Sequence, residues 1–361
     1  MIRKRKTGLF LLAVFATSLS ASFYGRGVGV HAESAKNAKN RAAAAVTARA
    51  ECVMEVSSRR VLYEKNGEEK LPMASTTKIA TALTVLLQSE VCGGLDEPFP
   101  VPAAGCGTEG SSVYLKPGDS ATPRELLYGL MLRSGNDCAV TLALRTAGNL
   151  KNFARLMNET AKRAGALNTR FKNPHGLPEK GHYTTARDLT LITCLALEND
   201  EFSKIVATRE YEPKHWVNKN KMLTEYEGAI GVKTGFTRQA GRCLVSAAQR
   251  GGMKIVCTLL NCVDTYGRSK TLLDDAFFSY EYVLLQSGES PVPLDLKSGK
   301  CSAVTKKDLR YPMLAAEKQY VKKVAIGFDT PLKDAEEKEI CGQLRIYLAN
   351  NLLFCENLYK L

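Results

Sequence analysis

The chain has 361 residues, 45% of them hydrophobic, and a formal net charge of +13. That length and apolar content support one large domain with a smaller one beside it. The charge suits an anionic wall or membrane surface, but no basic run with interleaved aromatics points to nucleic acid.

Five of the basic residues, Arg3, Lys4, Arg5, Lys6 and Arg26, lie near the N-terminus, and without them the net charge is about +8. A short apolar run over residues 8–16 follows, then small residues and a cleavage-type sequence at Val30-His31-Ala32. This is the pattern of a secretory signal peptide over residues 1–32, too short in its apolar part for a comfortable membrane span. An uncleaved N-terminal anchor is the alternative. Either places the rest of the chain outside the cytoplasmic membrane, in the cell envelope. The eleven cysteines are irregularly spaced, with no zinc or redox motif. Cys194, Cys243 and Cys257 sit in apolar runs, where cysteine acts as a small hydrophobe. Mostly free thiols are expected, and Cys92 with Cys106 is the one pair suspected of bridging.

Residues 33–46 read as a loose lead-in. Residues 52–56 and 60–64 read as a hairpin turning at Ser57-Ser58-Arg59. A helix follows near Ser75, with Ile79, Leu83, Leu86 and Leu87 at helical spacing. Residues 91–123 are loops and short strands. Thr122 is a natural N-cap and Pro123 a natural first residue for the next helix. That helix stops at Arg133-Ser134-Gly135-Asn136-Asp137, a helix–helix junction where polar groups can face a cleft, or simply cap helix ends. Helices continue through residue 166. His175 and His182, in turn-rich segments without an H-E-x-x-H pattern or a carboxylate cluster, read as structural, and no metal is expected. Residues 228–237, 243–248 and 254–260 read as an antiparallel meander, and 268–286 as a closing helix. Beyond Pro291, lysines alternating with apolar residues describe a small all-β domain of about 70 residues.

Ser75 and Lys78 lie three residues apart, so a helix brings them to one face, about 5–6 Å apart at Cβ. A serine hydroxyl needs a neighbouring base to become a nucleophile. A lysine becomes that base when burial or nearby positive charge lowers its pKa. S-x-x-K alone is common by chance. Here, however, Ser75-x-x-Lys78, Ser134-Gly135-Asn136 and Lys233-Thr234-Gly235 follow in order, 59 and 99 residues apart. That ordered set is the signature of penicillin-binding proteins and class A β-lactamases, with Gly135 where the signature has Asp.

Over residues 45–286 the chain resembles the low-molecular-mass penicillin-binding proteins that are D-alanyl-D-alanine carboxypeptidases. Gly110-Ser111-Ser112-Val113-Tyr114-Leu115, the loop 173–177, His182-Tyr183-Thr184-Thr185-Ala186 and Asn218-Lys219-Asn220-Lys221 add to the motifs, and Gly135 is the form usual in that branch. Thr330-Pro331-Leu332 and residues 340–344 are similar to the family's small β domain. The resemblance implies an α+β, β-lactamase/transpeptidase-like domain over residues 33–288, an antiparallel sheet flanked by helices. A small β domain over 289–361 follows. It implies Ser75 as nucleophile, Lys78 as base, its pKa lowered partly by Lys233, and Ser134 as proton relay to the leaving D-alanine. Asn136 would hold the substrate amide, and Lys233 and Thr234 its carboxylate. Gly235 would admit the substrate, and the N–H groups of Ser75 and Phe236 would bind the oxyanion. Arg268 is a further candidate for the carboxylate. No cofactor is implied. The partners implied are the peptidoglycan stem peptide and, as covalent inhibitors, β-lactams.

The family often ends in a basic amphipathic helix that binds the membrane surface. Residues 352–361 are short and carry one lysine, so packing against the small domain is an equal expectation. Two other functions compete. A class A β-lactamase needs a glutamate for its deacylating water, whereas the loop over 171–182 resembles the carboxypeptidase form. A non-catalytic wall-binding protein would not need all three motifs intact.

Overall fold

The computed structural model describes residues 48–297, 299–334 and 338–361. The signal segment and the lead-in over 33–46 lie outside the described residues. Strands β1 (Ala50–Glu55) and β2 (Val61–Lys65) form the expected hairpin. Two short pairings follow, β3 (Phe99–Pro100) with β4 (Ser120–Ala121) and β5 (Glu210–Tyr211) with β6 (Trp216–Val217). The meander is β7 (Ala229–Thr237), β8 (Gly241–Arg250) and β9 (Met253–Leu260). The main sheet is antiparallel, in the order β2-β1-β9-β8-β7, so β7 is an edge strand.

Side chains alternate across a strand, and here both faces are buried. Cys52 and Met54 enter one core with Ile79, Leu83, Leu189 and Ile192. Val53, between them, enters the other with Leu272, Leu273 and Ala276. The helices are α1 (Lys78–Gln88), α2 (Pro123–Tyr128), α3 (Asn136–Ala147), α4 (Leu150–Arg163), α5 (Ala186–Leu197), α6 (Asp200–Ala207), α7 (Met222–Glu225) and α8 (Thr265–Ser279). Thr122 caps α2 by accepting from Glu125 N at 3.1 Å, and Thr185 caps α5 by accepting from Asp188 N at 3.1 Å.

The closing helix differs from expectation. It ends at Ser279, and Glu281–Gln286 is strand β10, paired with a later strand over Leu309–Met313. Tyr282 and Val283 favour a strand, and the partner supplies the hydrogen bonds that local periodicity does not reveal. Strands β11 (Val292–Leu296), β12 (Gly299–Val304), β13 (Leu309–Met313), β14 (Val321–Lys333), β15 (Glu339–Leu348) and β16 (Asn351–Lys360) complete an all-β region. Its five-stranded sheet has the order β11-β12-β16-β15-β14. The residues of the uncertain tail thus form the middle strand of that sheet. Among the described residues no helix is long and apolar enough to cross a membrane. Arg60 ties the two regions: it donates to Pro312 O at 2.8 Å, pairs with Glu317 at 2.5 Å and lies over Tyr280 and Tyr311.

Arg268 forks onto Glu51 of β1, at 2.9 and 2.7 Å to its two carboxylate oxygens. Glu51 is fully buried. Burial opposes its ionisation, but bonds from Arg268 and the Ala48 N–H outweigh that and hold its pKa below the usual value. Arg268 is therefore committed to a structural ion pair. Arg268→Leu leaves a buried, unpaired carboxylate and should cost about 3 kcal/mol, read as a lower denaturant midpoint.

Candidate active site

The nucleophile turn is held from two sides. Ala74–Thr77 is a 3₁₀ turn leading into α1, entered through Ala74 at φ 50°. On one side packs the 173–177 loop: a Cβ on Gly176 would sit 1.9 Å from Ala74 O, so only glycine fits. On the other runs β7: a Cβ on Gly235 would lie 3.1 Å from both Ser75 N and Thr76 N. The close approach at Gly235 is thus made by the protein's own backbone. Ser75 is half-buried and lines a cleft of about 410 Å³ with Ser134, Thr234, Gly235 and Phe236.

Lys78 is fully buried beneath Ser75. Its Nζ lies 3.0 Å from Ser75 Oγ, 2.6 Å from Asn136 Oδ1 and 2.7 Å from His175 O. Two of these partners are carbonyl oxygens, which only accept; the third is a hydroxyl, which can also donate. A neutral amine has two N–H donors and one lone pair, so it fits this set with Ser75 donating to it. Burial is the largest cause of a pKa well below the ordinary lysine value, and the charge of Lys233 lowers it further. Three acceptors would satisfy an ammonium as well, so it is the burial and the Lys233 charge that favour the unprotonated base.

The middle motif hangs on an irregular turn. A π-turn over Gly129–Arg133 ends at Ser134, which is left-handed at φ 66°. Such turns and conformations are frequent at functional sites. Gly135 N-caps α3, and a Cβ there would meet Asp137 Oδ1 at 2.8 Å and Cys138 Sγ at 2.9 Å. A side chain at 135 would press on both of these side chains. Asn136 is buried; it accepts from Lys78 and donates to Glu109 O. Expected to hold the substrate amide, it anchors Lys78 here.

Lys233 is fully buried and donates to Thr234 O at 3.2 Å. Burial, followed by the charge of Lys219, lowers its pKa to about 7. Lys219 lines the cleft, and its backbone N–H donates to Leu132 O at 3.2 Å, tying this cation to the π-turn. Sequence reasoning quoted Lys219 within Asn218-Lys219-Asn220-Lys221 without assigning it a role. Asp137 was missed too. Its carboxylate accepts from Ser112 Oγ at 2.5 Å, Val113 N at 3.0 Å, Leu115 N at 3.1 Å and Cys138 N at 2.9 Å. It thereby fixes the segment carrying Ser111, a cleft residue whose carbonyl accepts from Asn136 N at 2.7 Å. No local pattern announces a carboxylate three of whose donors, on Ser112, Val113 and Leu115, lie more than twenty residues away.

His182 sits 2.9 Å from Thr77 Oγ1 and accepts from Lys172 N at 3.0 Å; His175 supplies its backbone carbonyl to Lys78. Burial lowers both imidazoles to about 4. Among the described residues the one cluster with metal-ligand spacing is Glu210, Glu212 and His215, exposed and not lining the cleft. All eleven cysteines are free. Cys92 and Cys106 do not bridge: their sulfurs donate to Thr146 O and Pro102 O.

Residues 36–263 match the family described as Peptidase_S11, D-alanyl-D-alanine carboxypeptidase. The D-alanyl-D-alanine carboxypeptidase DacF of Bacillus subtilis is 32% identical over 304 residues, 80% of this chain and 74% of that one. The solved structure of DacD from Francisella tularensis is 25% identical, covers 87% of this chain and 92% of its own, and has a TM-score of 0.65. A mutant of the Streptomyces K15 DD-transpeptidase is 33% identical over 65% of this chain and 99% of its own, with a TM-score of 0.61. Penicillin binding protein 5 from Haemophilus influenzae, at 23% identity and a TM-score of 0.73, shares the fold. The fold is that of the penicillin-binding serine hydrolases: a transpeptidase-like α+β domain with an all-β region after it. Within that class the chain belongs to the D-alanyl-D-alanine carboxypeptidase family.

The titration of Lys233 links to stability. Its folded pKa of about 7 lies below the unfolded value of about 10.4, so between them the unfolded chain binds more protons and stability rises with pH. Thermal melts should show this rise from about pH 7 to 9, and Lys233→Met should flatten it. An unchanged slope in the variant would remove Lys233 as its source.

Proposed function

We propose that the enzyme removes the terminal D-alanine from peptidoglycan stem pentapeptides through an acyl-enzyme on Ser75. The observation that carries this reading is the setting of Lys78: fully buried, held by two carbonyl oxygens, with its remaining valence on Ser75 Oγ. Lys78 takes the hydroxyl proton as Ser75 Oγ attacks the carbonyl of the D-alanyl-D-alanine bond. The N–H groups of Ser75 and Phe236 receive the oxyanion, and each such donor is worth about 10²–10³ in rate. The proton passes from Lys78 through Ser134 to the nitrogen of the leaving D-alanine. Water then attacks the ester, returning the hydroxyl to Ser75. Lys233 and Thr234, with Lys219 at the cleft wall, bind the substrate's terminal carboxylate. Gly235 keeps β7 close enough to Ser75 for these groups to meet one substrate. Asn136 holds Lys78 in place and turns to the substrate amide when the peptide enters.

A β-lactam offers an amide and a carboxylate in the same relation and would acylate Ser75. We further infer that residues 1–32 direct export and are removed. Residues 33–288 then act as the catalytic domain and 289–361 as an accessory β domain, in the cell envelope. This agrees with the wall substrate and the basic surface.

Mass spectrometry of D-alanine released from a pentapeptide tests the reaction. Ser75→Ala should lower release about 10⁴-fold or more and abolish labelling by fluorescent penicillin; retained release would refute the nucleophile. Lys233→Ala should weaken peptides with a free terminal carboxylate about 10²-fold more than amidated ones. Equal losses would remove its carboxylate role. With wild type, kcat/KM should rise as Lys78 loses its proton and fall as Lys233 loses its own, above about 7 in the free enzyme. Lys233→Arg should move the falling limb to higher pH.

A further inference from the structure

A second groove, of about 660 Å³, opens beside α4, and the reaction at Ser75 does not use it. Four cations line it: Lys151 and Arg155 from α4, and Arg170 and Lys172 from the segment after it. Lys151 and Arg155 are one helical turn apart and share a face, while Phe153, Ala154 and Met157 of the same helix are buried. Arg170 pairs in register with Tyr183, and Phe171 is 1% exposed, so Arg170 and Lys172 turn away from the core together. Glu179 is the one acid in the lining, and Asn173 Nδ2 already donates to it at 3.0 Å. Arg155 also pairs with Glu159 at 2.6 Å. Lys151, Arg170 and Lys172 have no acidic partner among the described residues. His175 lines the groove as well. Its carbonyl is bonded to Lys78 at 2.7 Å, and its Nδ1 accepts from Leu177 N at 3.2 Å. The ring proton is therefore on Nε2, a donor with no partner among the described residues. The groove thus offers positive charge and free donors, and its one carboxylate is engaged.

We propose that this groove binds a polyanionic chain of linked phosphodiesters and anchors the enzyme to it. Several cations in one groove call for several negative charges on one ligand, whereas a lone carboxylate satisfies only one of them. Guanidinium forks and ammonium groups both suit phosphate oxygens, and a phosphodiester keeps its charge wherever the enzyme works. The spacing agrees. The two cations on each wall are one helical turn or two extended residues apart, about 5–7 Å, on the order of one repeat of a phosphodiester backbone. Anchoring of this kind raises the effective concentration of substrate stems carried beside the bound polymer. The binding itself does not depend on the chemistry at Ser75.

Calorimetric titration of the full-length chain with a synthetic glycerol phosphate hexamer tests this. Binding is expected at about 50 mM salt and should be about ten-fold weaker at about 200 mM. Lys151→Gln combined with Arg170→Gln should weaken it about ten-fold or more, with D-alanine release from a free pentapeptide unchanged. Lys300→Gln combined with Lys322→Gln removes the same charge from exposed positions of the β region and should leave binding intact. In protein with nitrogen-labelled histidine rings, the Nε2 signal of His175 should move on binding, while that of exposed His215 stays. No heat of binding would overturn the assignment, as would an equal loss in both variant pairs, the mark of diffuse attraction. Equal affinity for a glutamate hexamer, capture by phosphatidylglycerol vesicles without binding of the free hexamer, or an unmoved His175 signal with the hexamer bound would overturn it too.

Discussion

Lys78 sits where a charged ammonium group is expensive, and the rest of the structure follows from how that cost is met. An ionised amine taken out of water either finds compensating charge or gives up its proton. No carboxylate bonds to it; its partners are Asn136 Oδ1, His175 O and Ser75 Oγ. The nearest strong electrostatic influence is the repulsive charge of Lys233. The neutral form wins, and the one partner able to give it a proton is the nucleophile.

The fold supplies this pocket from distant segments by a few tight fits. The 3₁₀ turn and the start of α1 bring Ser75 and Lys78 together, and α3 brings Asn136. The 173–177 loop brings the His175 carbonyl only because Gly176 can press against Ala74. Strand β7, at the sheet edge, brings Thr234 and Lys233 because Gly235 can lie against the backbone at Ser75. Each fit is steric, so a single added methyl group would move a catalytic atom without touching it. Asp137 works in the same way on the wall opposite, gathering backbone N–H groups into a fixed segment.

Much of this was legible in the sequence. The β1–β2 hairpin, the β7–β9 meander and the cap at Thr122 come from local chemistry, which a sequence states directly. The three motifs could be joined because their order and context carry information that each lacks alone. What stayed hidden depends on contacts between remote segments. The β10 strand looked helical because its partner, β13, lies more than twenty residues on. Arg268 was a candidate for substrate until its partner Glu51, 217 residues away, was visible. Asn136 was read only for the substrate amide; its bonds to Lys78 and Glu109 depend on segments far away in the chain. Gly235 was expected to admit the substrate; the backbone it lies against here is the protein's own, at Ser75 and Thr76.

The position of β16 has a consequence for how this molecule is made. Residues 351–360 are the central strand of the C-terminal sheet, paired to β15 along most of their length and to β12 at one end. A ribosome delivers them after every other strand of that sheet, so the sheet must wait, divided into two halves, until they arrive. A stop codon before residue 351 would remove the keystone rather than a loose end, leaving β12 and β15 with unpaired edges, the kind of surface that invites aggregation.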